Sequence, residues 1–166
     1  MAMLAADART IFVGQAVKYP GQRAFGTFAD VPMEKRIEMP VAEDFQLGFC
    51  TGLAMQGYIP ISFFPRWDFL IIAANQLLNH LDKLNQMGGW DAKVIIRTAV
   101  GSRRPLNPGP QHTQDYYFPM QLMLHDMRLI EIWQPEEVFK SYEYALECPE
   151  SCIVVERMSQ YEVEMK

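Results

Sequence analysis

Residues 94–100 (VIIRTAV) form a continuous apolar run of the kind that is buried on both faces of a sheet, and this constrains the fold more than any other feature. Five further β-rich runs recur along the chain: RTIFVGQAV (9–17), RIEMPV (36–41), YIPISFF (58–64), RLIEIW (128–133) and CIVVERM (152–158). Helical stretches separate them. One begins at Glu43 and stops at Gly57. A second is capped by Asp68 and runs to about Met87, with Phe69, Ala73, Gln76, Leu77 and His80 along one face. A third covers 136–147, with Pro135 placed for its first turn. Alternation of this kind implies parallel strands joined by right-handed crossovers. The expected fold is α/β: a three-layer α/β/α arrangement on a mostly parallel, roughly six-stranded sheet. Ligands of such sheets bind at the carboxyl ends of the strands. The start of the Glu43 helix and the Gly- and Pro-marked loop 101–115 both follow strand ends.

With 166 residues, the chain is expected to form a single domain over 1–166. Its 49% apolar and 21% charged residues are ordinary for a soluble globular protein. A net charge of −5 with scattered basic residues argues against a nucleic-acid partner. No apolar run is long enough to span a membrane, and MAMLAADA lacks the basic start and apolar core of a secretory signal. Three cysteines suit a reducing compartment, so the expected location is cytoplasmic. Cys148 and Cys152 have no nearby His or second Cys pair, so no zinc site is expected there.

The segment PVAEDFQLGFCTGLAMQG (40–57) carries the chemistry. Glu43 stands at the mouth of a helix that has almost nothing ionisable beyond its first turn. Gly48 and Gly52, four apart, share a face that allows close approach to the backbone, and Gly57 suits the left-handed position that ends a helix. Glu43 and Asp44 also answer the helix dipole, which is a purely structural use of the same residues.

This segment and those after it resemble the pyrimidine-binding domain of the transketolase-like thiamine diphosphate enzymes. The likeness is greatest to the beta subunit of the decarboxylating component of 2-oxo acid dehydrogenases. PVAEDFQLGFCTGLAMQG matches that family's P-I-S-E-x-G-F-x-G-x-A-x-G-x-A-x-x-G. An aromatic-rich helix start follows, then NQLLNH (75–80) against D-Q-I-x-N-H, and GPQHTQ (109–114) against G-x-Q-H-S-Q. The resemblance runs from about Ile11 to Glu156.

It implies a set of roles. Glu43 is the carboxyl group that engages the pyrimidine of thiamine diphosphate, a task suited to a lone carboxyl in an apolar pocket. Val41, Pro65 and Phe69 wall the pyrimidine slot, although a Met often stands in the family where Pro65 is, and aromatic stripes also serve as plain core. His112 faces the substrate as a proton donor, since histidine titrates near neutral pH. Arg103 and Arg104 in the same loop suit a small anionic carbonyl substrate, or equally a solvated loop or a partner contact. Some members hold a potassium ion on backbone oxygens in the segment matching 145–150; backbone ligands leave no side-chain signature, and no metal site is assigned here.

The chain has no Gly-Asp-Gly stretch with a downstream Asn, the superfamily's pattern for magnesium and diphosphate, and the C-terminal transketolase domain is expected to be absent. The expectation is therefore half a site: thiamine diphosphate shared with a separate diphosphate-binding, alpha-type subunit that binds Mg2+, two copies of each chain. Decarboxylation of a 2-oxo acid and ketol or acyl transfer both remain open. The alternative is a non-catalytic scaffold that only stabilises a partner chain. Retention of both Glu43 and His112 argues against it, because a scaffold has no need of a buried carboxylate.

Overall fold

All neighbouring strands run parallel in a single sheet, seen in a computed structural model that describes residues 1–21, 23–104 and 107–160. The strands are β1 (Thr10–Gly14), β2 (Arg36–Glu38), β3 (Ile59–Phe63), β4 (Ile95–Val100), β5 (Arg128–Ile132) and β6 (Cys152–Arg157), in the order β2-β1-β3-β4-β6-β5. Each lies within a run read from the sequence. The helices are α1 (Ala2–Ala6), α2 (Glu43–Met55), α3 (Trp67–Leu70), α4 (Leu84–Gly88), α5 (Tyr117–Met123) and α6 (Val138–Glu147).

Strand alternation sends side chains into two separate cores. Val13, Ile96, Ile153 and Val155 face α2, the helical stretch from Trp67 to Gly88 and α5. Phe12, Ile95 and Val154 face α1, α6 and the 3-10 turn Arg23–Phe28. Burial on both faces is what VIIRTAV demanded, and it gives the three-layer α/β/α architecture. Each fully buried Leu or Ile, such as Leu47 or Ile96, contributes roughly 1.5–3 kcal/mol of hydrophobic stabilisation.

The helix ends follow the sequence signals. Gly57 adopts φ +88 just past α2, the conformation that favours glycine. Pro135 opens the turn Pro135–Glu137, where Gln134 and Glu137 form a reciprocal capping box ahead of α6.

Some features depart from expectation. The helix from Asp68 to Met87 is a succession of α3, a 3-10 turn (Ile71–Ala73), a π turn (Gln76–His80), a 3-10 turn (Leu81–Lys83) and α4. Tight and wide turns compensate, so Leu70, Ala73, Leu77, Leu81 and Leu84 all remain on the sheet-facing side. α1 and α5 were not foreseen; both are short, five and seven residues, and carry little periodicity. His125 lies in a bend. Its backbone N–H and those of Asp126 and Met127 donate to the buried Asp82 carboxylate at 2.9–3.0 Å. At the end of α6 the half-buried Lys93 ammonium donates to the carbonyls of Leu146, at 2.7 Å, and Cys148. A cation there complements the negative end of the helix. No helix among the described residues is long and apolar enough to cross a membrane.

Candidate functional site

Gln15 and the residues singled out in the sequence follow adjacent strands along one edge of the sheet. Gln15 comes after β1, Glu43 after β2, Pro65 and Phe69 after β3, and His112 in the loop after β4. Because the spatial order is β2-β1-β3-β4, the carboxyl ends of these strands set the residues side by side.

Glu43 is 6% exposed at the first position of α2. Among the described residues its side chain accepts one hydrogen bond, from Gln15 Nε2 to Oε1 at 3.3 Å, and no cation pairs with it. One turn along α2, Gln46 is fully buried and donates from Nε2 to Ser62 Oγ (3.1 Å) and to the Phe63 carbonyl (3.0 Å). That bridge fixes the start of α2 against the end of β3, two residues before Pro65. Glycine is required at the neighbouring strand end: a Cβ on Gly14 would stand 2.6 Å from the Phe63 carbonyl oxygen. Glu38, at the end of β2, accepts from the backbone N–H groups of Ala16 (2.5 Å) and Lys18 (2.7 Å) and holds Ala16 at φ +54. The segment containing Gln15 is thereby held in place beside Glu43.

Pro65, Arg66, Phe69, Pro108 and His112 line a cavity of about 270 Å³. The Phe69 and His112 rings meet edge to face, with centroids 5.5 Å apart. Three of the residues named from the sequence thus share one cavity. The His112 loop is anchored by two contacts: Asp68 Oδ1 accepts from the Gln114 N–H at 3.4 Å, and Asp115 pairs with Arg157 at 2.6 Å.

Other sequence candidates stand apart. Val41 is 80% exposed, outside any enclosed slot, and Arg103 and Arg104 are exposed on the loop rather than in the cavity. The cavity's cation is Arg66, which is not among the residues predicted from the sequence. Its signal was present as the one charge in FFPRW, directly after Pro65. Gly48 faces the Gln76 side chain, where a Cβ would be 3.4 Å away, whereas Gly52 faces open space. One glycine of the pair therefore serves packing within the domain.

Gly101 determines where His112 sits. A Cβ there would lie 1.8 Å from the His112 carbonyl oxygen. Gly101→Ala is expected to push the His112 turn away from β4 and to cost about 1–3 kcal/mol, the usual range for overpacking. Thermal unfolding together with the imidazole NMR shifts of His112 checks this. An unchanged melting temperature with unmoved His112 signals would show that the turn does not rest on Gly101.

No family model matches the chain. It is 21% identical over 164 residues to the 3-methyl-2-oxobutanoate dehydrogenase subunit beta of Mycobacterium tuberculosis, an alignment covering 95% of this chain and 46% of that protein. It is 34% identical over 80 residues to the pyruvate dehydrogenase E1 component subunit beta of Chaetosphaeridium globosum, covering 47% and 24%. Against the 2-oxoisovalerate dehydrogenase subunit beta of Bacillus subtilis it is 26% identical over 100 residues, covering 57% and 31%. Among solved structures it superposes on a split gene transketolase, described as an inactive beta4 tetramer, with a TM-score of 0.72 at 17% identity, covering 93% of this chain and 47% of the other. The chain spans about half the length, or less, of the relatives it matches. It shares the fold of the split gene transketolase chain, and its sequence is weakly similar to the beta subunits of 2-oxo acid dehydrogenases.

Proposed function

We propose that this chain is the pyrimidine-binding part of a thiamine diphosphate-dependent enzyme that acts on carbon–carbon bonds next to a carbonyl. A separate diphosphate-binding, alpha-type subunit completes the site, supplies the Mg2+ ligands, and assembles with it two by two. The observation that carries this reading is Glu43: a carboxyl group 6% exposed, with a single long hydrogen bond and no cationic partner among the described residues. Burial of a carboxylate without compensation is costly, so a scaffold gains nothing from it. Such a carboxyl fits a heteroaromatic ring nitrogen with which it can share a proton.

When bound, thiamine diphosphate supplies a nucleophilic carbon for attack on a substrate carbonyl. The residues of this chain act around it. Glu43 holds a proton between one of its oxygens and the pyrimidine nitrogen N1′, and Gln15 orients the carboxyl group through Oε1. Phe69 and Pro65 offer an apolar wall that keeps water out, with the exposed Val41 at the outer rim. His112, held by its contact with Phe69, donates a proton to the substrate oxygen. Arg66 lines the same cavity and suits the negative charge of a small 2-oxo acid or a phosphorylated ketose. Arg103 and Arg104, exposed on the loop after β4, are placed to meet an anionic substrate group or the partner chain at the outer rim.

The large apolar side chains left exposed at helical spacing support work within an assembly. Phe118 and Leu122, four apart on α5, have most of their surface open, as do Val41 just before α2 and Phe45 in its first turn. The split gene transketolase neighbour is an inactive tetramer of beta chains, in keeping with a beta-type chain that needs its counterpart.

Isothermal titration calorimetry provides the test. The chain alone is expected to bind thiamine diphosphate and magnesium weakly or not at all. Co-purified with a partner that carries Gly-Asp-Gly and a downstream Asn, it is expected to bind them tightly. Tight binding by the chain alone would overturn the divided site.

A further inference from the structure

Cys148 and Cys152 lie away from the candidate site, at the junction between the end of α6 and the first residue of β6. Their sulfur atoms are 3.2 Å apart, and both also approach the Glu150 carbonyl oxygen, Cys148 at 3.6 Å and Cys152 at 3.5 Å. A common weak acceptor therefore holds the two thiols pointing at the same place. A disulfide of about 2.05 Å requires the sulfurs to close by about 1.2 Å, within reach of small side-chain rotations in a five-residue turn.

The two thiols are not equivalent. Cys148 lines a cavity of about 460 Å³ together with Lys93, Arg9 and Pro149, whereas Cys152 is fully buried. Burial also pushes the Cys152 thiol well above its ordinary range. An oxidant arriving through the cavity meets Cys148 first, with Cys152 directly behind it. Cys50 lies in the opposite core, with the sheet between it and the pair, and burial pushes its thiol up to about 12.

We propose that Cys148 and Cys152 form a reversible dithiol–disulfide pair, a modification site that responds to small hydroperoxides. In the first step the Cys148 sulfur attacks the hydroperoxide, the O–O bond breaks, an alcohol or water departs with the thiol proton, and Cys148 becomes a sulfenic acid. In the second, the Cys152 sulfur attacks that sulfenic sulfur, the S–O bond breaks, and hydroxide leaves as water with the Cys152 proton. Two thiols lose two electrons, and one hydroperoxide is reduced to an alcohol and water. The product ties the last turn of α6 to the start of β6. Lys93 and Val94 sense that turn directly, since Lys93 donates to the Cys148 carbonyl and the Cys152 N–H donates to the Val94 carbonyl at 3.0 Å.

The experiment treats the folded, full-length chain with hydrogen peroxide, denatures it, alkylates the remaining thiols and maps the peptides by mass spectrometry. The expected result is one alkylation, at Cys50, out of three, with the peptide spanning 148–152 lighter by two hydrogen atoms. Dithiothreitol should restore all three alkylations. Cys152→Ser should halt the reaction at a Cys148 sulfenic acid, trapped by dimedone, and Cys148→Ser should leave Cys152 unoxidised. Circular dichroism confirms that both variants fold. The proposal is overturned if peroxide leaves all three thiols open to alkylation, if Cys148 goes to sulfinic acid without bridging in the unaltered chain, or if the disulfide joins two chains.

Discussion

Glu43→Gln is expected, on the function proposed above, to lower kcat of the assembled enzyme by roughly 10²–10⁴-fold, the range that general acid–base groups contribute. The substitution preserves side-chain size and the start of α2, and an amide oxygen can still accept from Gln15 Nε2. What it removes is the capacity to share a proton with the ring nitrogen. Stability is expected to change little. Only a charge favoured by the helix dipole is lost, about 0.3–1 kcal/mol, and relief from burying an ionised group offsets part of that. The direct measurement is hydrogen–deuterium exchange at the reactive carbon of bound cofactor, followed by NMR, beside a calorimetric affinity for the same cofactor. Slowed exchange with near-normal affinity is the expected pattern. Exchange at the unaltered rate would remove the carboxyl group from the chemistry, whatever happens to affinity.

The sheet was legible because its strands are buried on both faces. A run such as VIIRTAV or CIVVERM has no polar face, so neither register nor neighbouring context is needed to recognise it. The helices were legible where an end signal was strong. Gly57 and Pro135 mark boundaries through their backbone conformations, and the structure places both as those conformations require. α1 and α5 gave no such signal. Each is too short to show a period, and each forms because tertiary packing covers Leu4 or Met120. The broken helix between Trp67 and Gly88 illustrates a different limit. A sequence period near 3.5 is satisfied equally by a regular α-helix and by an alternation of tighter and wider turns.

The site was legible in part. Glu43 was distinctive because a charge beside a long apolar helix is uncommon, and the topology brings Pro65, Phe69 and His112 to the same edge of the sheet. Arg66 has only a weak sequence signal, because a single cation among the aromatic residues of FFPRW is equally what a solvated helix start contains. Gln15 had no local signal at all. Its relation to Glu43 arises from the sheet order, which sets the end of β1 beside the end of β2 across 28 residues of sequence. Arg103 and Arg104 show the reverse case: a pair of cations near His112 in sequence that the loop leaves exposed.

Glu156→Ala is expected to have the largest effect on stability. Arg97 and Glu156 are 4% and 6% exposed, and they join in two hydrogen bonds, Nε to Oε1 at 2.8 Å and Nη2 to Oε2 at 3.0 Å. The Tyr142 hydroxyl donates to Glu156 Oε1 at 2.5 Å, and Arg97 Nη1 donates to Thr27 Oγ1 at 2.6 Å. The guanidinium also lies 5.3 Å from each of the Phe28 and Phe63 rings. Truncating Glu156 removes this carboxylate from the buried guanidinium and this acceptor from the Tyr142 hydroxyl. Breaking a buried pair from one side costs about 3–5 kcal/mol. For a domain of this size, where each kcal/mol moves the melting temperature by roughly 2–4 °C, the fall should be on the order of 10 °C. Arg97→Met combined with Glu156→Leu replaces both members of the pair with apolar side chains, so it should recover most of the loss. The pair ties β4 to β6 only a few residues before Gly101 and the His112 loop, so Glu156→Ala should also loosen the Phe69–His112 contact. Thermal unfolding of Arg97→Met, Glu156→Leu and their double, beside Glu156→Ala, provides the decisive cycle. A loss below about 1 kcal/mol for Glu156→Ala would mean that water reaches the guanidinium and that the pair does not hold this edge of the sheet together.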